Sequence, residues 1–403
     1  MHLLTGTVRT YPWGSRTAIA ELRGLPTPSS RPEAELWFGS HPGGSSTVGD
    51  TPLIDIIAAD PTAALGARVC SRYDGRLPFL MKILAAAEPL SLQAHPSLAQ
   101  AQEGCAREDA AGIPRNANNR NYRDDNHKPE LIVALTDFEA LAGFRPLART
   151  MRLFDAISCP ELARYLTMLD SDPEHEETNL RALFTTWITI PAATRISLID
   201  KVIECIGETV RRNDSEEWII DVLRNILALN ERYPGDVGVL GALLLNKINL
   251  KPGEAVFLDA GQLHAYVSGM GVEIMANSDN VLRGGLTSKH VDVPELVRVL
   301  SFSSLAQPLV RSETTGEATH YPVPTDEFDL TRFNLRPGSS GVVEHDGPVI
   351  VLCTAGQVAA GHGVDDEPLI LTPGSALWIP ASESAVTMSA STADGAELFV
   401  AKA

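Results

Sequence analysis

Residues 252–266 read PGEAVFLDAGQLHAY, and residues 373–387 read PGSALWIPASESAVT. The two segments align without a gap: Pro-Gly, a polar residue, Ala, three apolar residues, then a turn. Pro-Gly punctuates a turn, and the apolar run after it is short enough for a buried strand. A turn feeding a strand that ends near a histidine is an element of cupin barrels, which are small jelly rolls. The first copy carries His264; the second has Ala385 in its place. The repeat therefore predicts two related β-barrels, one able to bind a metal and one that has lost the ligand.

Outward from the first copy, LPFLMKILAAAEPLSLQAHP (77–96) and HKPELIVALTDFEALAGF (127–144) each hold two candidate strands between turn signals. Between 147 and 245 the texture changes. LARTMRLFDAISCPELARYLTML, SLIDKVIECIGETVRR and SEEWIIDVLRNILALNERY carry apolar residues at three- and four-residue spacing, as amphipathic helices do, and Ser215 marks a helix start. Strand texture returns at 246. The expected fold class is mainly β with an α-helical insert: two cupin-like jelly-roll barrels plus a helical domain. The expected domains are a discontinuous metal-binding cupin at 1–146 and 246–310, a helical insert at 147–245, and a degenerate cupin at 311–403. The stretch near 311–320 is the expected linker.

The chain has 403 residues, 33 basic against 51 acidic, for a net charge of −18. That balance argues against nucleic-acid or anionic-membrane partners, since such surfaces are held by excess Lys and Arg. No apolar run reaches the length of a membrane span, and the N-terminus lacks the basic-then-apolar pattern of a signal peptide. Five scattered cysteines without CxxC spacing suit reduced thiols. A soluble, cytoplasmic monomer is expected, with a small phosphorylated molecule as its partner.

Side chains alternate along a strand, so LSLQAHP puts Ser91, Gln93 and His95 on one face and Leu92 and Ala94 on the other. By the same rule Lys128 shares a face with Glu130, His264 with Tyr266, and Glu273 with Met275 and Asn277. Each segment alone is weak, because a lone strand histidine is more often structural than a ligand. Four in one β-region shift the weight. Gln93, His95, Glu130 and His264 make a four-ligand N/O set that suits zinc with an open position; Mn, Co or Fe would also accept it. Downstream, MANSDNVLRGGLTSKH brings Asp279, Arg283 and Lys289 into a Gly-containing loop, where with Lys82 and Lys128 they could form a basic pocket. Walker, dinucleotide and GxSxG motifs are absent.

YPWGS (11–15), AELWFGSHP (34–42), PLSLQAHP (89–96), NYRDDNHKPEL (121–131), GFRP (143–146), the 252–266 segment and VEIMANSDNVLRGGLTSKHVDV (272–293) together resemble the type I mannose-6-phosphate isomerases, in that family's order. The resemblance implies an aldose–ketose isomerase interconverting mannose 6-phosphate and fructose 6-phosphate through a cis-enediol, feeding GDP-mannose metabolism. It implies one zinc per chain on Gln93, His95, Glu130 and His264, and an active-site arginine at Arg283. Ser91, Lys82, Lys128, Tyr266, Glu273, Asp279 and Lys289 would line the pocket, with Trp13 in its wall or structural. The proton carrier stays open among Lys128, His127, Glu273 and Asp279. Two other classes compete: a non-catalytic sugar-binding cupin, which would not need the basic pocket, and a cupin oxygenase, which would be expected to show HxH rather than QxH.

Overall fold

The computed structural model describes residues 1–170, 172–362 and 367–403. Its central feature is the strand His264–Ala276, whose thirteen residues carry four neighbours. Near its start it pairs with Leu92–Ala94 and Phe138–Phe144, and further on with Phe79–Ala86 and Glu130–Ala134. The exchange of partners occurs at Gly269, which has φ 112° and whose Cβ, if present, would lie 2.6 Å from the Asp137 carbonyl. Only glycine tolerates that backbone and that approach. QLHAYV and GVEIMAN are thus two halves of one strand, within a ten-stranded sheet.

Both faces of this sheet are covered, which is why Phe79–Ala86 is buried throughout. Met81, Ile83, Leu131 and Val133 point outward and share a core with Leu330, Ile350, Leu352, Trp378 and Phe399 of a seven-stranded sheet. Leu84, Ala86, Ile132 and Ala134 point inward and pack with Phe138, Ala140 and Tyr266. The seven-stranded sheet packs in turn against a four-stranded one, around Val351, Leu377, Met388 and Leu398. Helices Leu147–Ile157, Glu176–Ile188, Ala192–Arg212 and Glu217–Arg232 bury their apolar stripes together and against Leu92, Ala94, Leu141 and Phe144.

The 252–266 and 373–387 segments adopt matching layouts. Gly253 and Gly374 both have positive φ, 90° and 79°. The strands Ala255–Leu258 and Ala376–Ile379 begin at equivalent positions, and the next strands begin at His264 and Val386.

Three features depart from the sequence reading. The stretch near 311–320 is no linker: Glu313–Thr315 and Ala318–His320 form an antiparallel hairpin at the end of the seven-stranded sheet. Its Thr-rich strands turn at Gly316, φ 62°. Residues His2–Leu4 pair with Ala376–Trp378, so the first strand belongs to the sheet built by the last hundred residues. The early β-region also contains helices, Leu53–Ala59, Pro61–Arg72 and Leu98–Ala110. The last opens with a capping box between Ser97 and Gln100.

Candidate metal centre

His95 follows the strand Leu92–Ala94, while Glu130 and His264 each open a strand, so strand ends deliver all three to one place. His95 Nε2 lies 3.4 Å from Glu130 Oε1 and His264 Nε2 lies 3.4 Å from Glu130 Oε2. All three residues are buried, and among the described residues His95 Nε2, His264 Nε2 and Glu130 Oε2 have no hydrogen-bond partner. Buried polar atoms without partners are costly, and three that converge call for a cation between them. The other ring nitrogens are engaged: His95 Nδ1 donates to the Asn280 carbonyl at 2.7 Å and His264 Nδ1 to the Gln262 carbonyl at 2.9 Å. A protonated Nδ1 leaves each Nε2 with a free lone pair aimed at the gap. Burial holds His95 down to about 4, so its ring is neutral. Burial would raise the Glu130 carboxyl, yet it lies well below its usual range; with the His95 ring neutral, the Lys128 ammonium 3.3 Å away is the charge that keeps it ionised. The donor set fits a divalent metal.

Gln93 is the cross-strand partner of His264 on one side and of Arg283 on the other. It is half-buried between two fully buried apolar neighbours, as alternation requires. Lys128 Nζ lies 3.3 Å from Glu130 Oε1. Ser91 is half-buried just before the Gln93 strand.

Below the metal group is a second buried network. Lys82 Nζ lies 2.6 Å from Glu273 Oε2 and 3.4 Å from Glu35 Oε1; Tyr266 donates to Glu273 at 2.7 Å and Trp37 to Glu35 at 2.7 Å. Burial opposes the Lys82 charge, and the Glu273 and Glu35 carboxylates overcome it, raising its pKa. Lys82 thus neutralises Glu273 at Oε2, while Tyr266 donates to the other oxygen, Oε1.

Three other expected residues have partners of their own. His127 Nε2 is 2.7 Å from Glu327 Oε1. Asp279 is 49% exposed, 3.6 Å from His41 Nε2, with its amide donating to Asp124. Trp13 stacks on Tyr11 and packs against the apolar end of the inner face.

At the rim, burial and Arg123 lower Arg283, while burial, Arg283 and Arg123 lower Lys289. These three cations therefore sit close together, and among the described residues no carboxylate oxygen lies within 4.0 Å of any of them. Sequence reasoning passed over Arg123. It also passed over Asn280, which is fully buried, orients His95 and accepts the amides of Arg123 and Asp124; the SDN run at 278–280 was its signal. His41 was missed too. It is 5% exposed, set edge-on to Trp37 at 5.1 Å, with Nδ1 accepting the Gly43 amide.

Residues 1–147 match the family model for the catalytic domain of type I phosphomannose isomerase. Mannose-6-phosphate isomerase of Escherichia coli (strain K12) is 38% identical over 397 residues, covering 96% of this chain and 97% of the relative. The chain belongs to the type I mannose-6-phosphate isomerase family. Its similarity to the family extends to the human mannose-6-phosphate isomerase, 33% identical over 408 residues, with 94% of this chain and 93% of that one covered. Among solved structures, a mannose 6-phosphate isomerase bound with zinc and yttrium superposes with TM-score 0.87 at 35% identity, covering 100% of this chain and 99% of the other. The apo form from Salmonella typhimurium gives 0.88 at 36% identity, covering 100% and 98%. The β-rich architecture described above is thus the isomerase fold.

Proposed function

We propose that this isomerase interconverts mannose 6-phosphate and fructose 6-phosphate beside one zinc ion held by Gln93, His95, Glu130 and His264. The carrying observation is the convergence of three orphaned buried donors, His95 Nε2, His264 Nε2 and Glu130 Oε2. Zinc bound there would supply Lewis-acid polarisation of the sugar oxygens. The chain's own residues do the rest. Arg123, Arg283 and Lys289, unanswered by carboxylates among the described residues, hold the phosphate, or Arg283 instead meets the charge that develops near C1 and C2.

An aldose–ketose interconversion moves a proton between C2 and C1, so one group must reach both carbons. Of the four candidates, His127 is tied to Glu327, Glu273 is enclosed by Lys82 and Tyr266, and Asp279 stands at the exposed rim. Lys128 is the one that borders the metal group, and we assign it that role; the charge of a metal bound to Glu130 would favour the neutral amine that a proton acceptor requires. Ser91 lines the pocket beside Gln93.

In this reading the two β-regions are cupin-like jelly rolls, residues 5–146 with 246–310 and residues 311–403 joined by the strand His2–Leu4, with the helical block 147–245 inserted in the first. Ala385 then explains why only the first holds metal. The chain acts as a cytoplasmic monomer supplying mannose 6-phosphate for GDP-mannose. Following fructose 6-phosphate by coupled reduction tests the activity. No turnover in zinc-replete protein would overturn it.

A further inference from the structure

The GFRP motif at 143–146 takes no part in the site above. Arg145 follows the strand Phe138–Phe144 and is 1% exposed. Its Nη1 donates to the Leu243 carbonyl at 2.9 Å and its Nη2 to the Leu245 carbonyl. Among the described residues no carboxylate oxygen lies within 4.0 Å of it. A buried guanidinium usually has one, because desolvating a charge is expensive. Here burial and the neighbouring Arg149 pull Arg145 down to about 9.

Arg145 forms part of the wall of a cavity of about 720 Å³ between the helical block and the strand Leu245–Leu250. Arg149 and Arg224 line the same cavity, and among the described residues neither has a carboxylate oxygen within 4.0 Å. The fourth cation, Lys247, is neutralised by Asp221 and Glu139 at 2.9 and 3.1 Å. Trp218 forms a flat wall, with the Arg149 guanidinium 4.4 Å from its ring centre. The opening turns of the helix Glu217–Arg232 complete the lining; among the described residues no side chain caps that helix, and the Glu217 carboxylate in its first turn offsets part of the positive charge at its end. Packing needs account for Arg145, but not for two further guanidinium groups brought to the same hollow in a chain of net charge −18.

We propose that this cavity is a second binding site, separate from the metal centre, for a small phosphorylated metabolite carrying a ring. Its volume lies in the range of small-ligand pockets. Arg149 and Arg224 would take the phosphate, Arg145 would fix the positive wall, and Trp218 would meet the ring. The strand Phe138–Phe144 lies between this cavity and the His264 strand, with Ala142 opposite His264, so the two sites share a sheet.

Titration calorimetry of the zinc-loaded full chain tests this, using inorganic pyrophosphate, a nucleoside monophosphate and mannose 6-phosphate as probes. Wild type is compared with Arg149→Glu and Trp218→Phe, neither of which alters the metal centre. The expected result is a binding event, additional to that of the metal centre, weakened at least about tenfold by Arg149→Glu, with saturated turnover unchanged. The nucleotide arm against the sugar-phosphate arm identifies the ring. Isotherms that coincide for wild type and both variants with every probe would overturn the proposal.

Discussion

Gln93 and His264 stand directly opposite each other across two antiparallel strands. Arg283 occupies the other side of Gln93, so one half-buried amide joins the metal group to the cationic rim. This arrangement predicts that metal and substrate binding are separable by mutation yet coupled in turnover.

Removing the metal should expose the cost of its pocket. Without a cation, Glu130 Oε2 and the two Nε2 atoms remain buried and, among the described residues, unanswered. Chelation should therefore lower the thermal midpoint, and zinc at a hundred times its Kd should restore about 2.7 kcal/mol. Glu130→Gln should bind little zinc, as read by metal analysis. A chelated protein as stable as the zinc form would contradict the fit.

The Lys82 network makes a different prediction. One cation balances Glu35 and Glu273 out of water, so Lys82→Met should cost ~3–5 kcal/mol in urea unfolding. Adding Glu273→Leu should recover part of that loss. No recovery would mean that the two residues are not energetically paired.

Arg283 depends on glycine packing behind it. A Cβ on Gly285 would lie 2.5 Å from the Gly238 Cα, at φ 130°. Gly285→Ala should cost about 1–3 kcal/mol through backbone strain and cut turnover by roughly 10–100-fold through displacement of Arg283. Gly338→Ala, with open space around it, is the control and should leave turnover intact.

Acid stability should report on Glu327. Burial would raise this carboxyl, but hydrogen bonds from His127 and Thr325 prevail and bring it to about 2, from 4.5 when unfolded. A depressed folded pKa stabilises above the unfolded value, and that contribution disappears as pH falls from 4.5 towards 2. Glu327→Gln should therefore be less stable than wild type at pH 7, with urea midpoints converging below pH 4.5. A difference that is constant with pH would remove the ion pair from the explanation.

The facing of Gln93 was legible because alternation is local: Leu92 and Ala94 go to the core, so Gln93 faces the other way. The Pro-Gly repeat was legible for the same reason. What escaped was non-local. Nothing in HLL at residues 2–4 announces pairing with Trp378, and nothing around Arg123 announces Arg283. Asn280 orients His95 through a carbonyl that any residue could offer. The helix Leu98–Ala110 was readable from Ser97 and Gln100, but the surrounding strand texture masked it.

Metal dependence of turnover tests the central claim most directly. Mannose 6-phosphate is supplied to zinc-stripped and zinc-restored protein, and fructose 6-phosphate is followed by coupled reduction. The account predicts that turnover disappears on stripping and returns with about one zinc per chain. Undiminished turnover in protein verified as metal-free would contradict it.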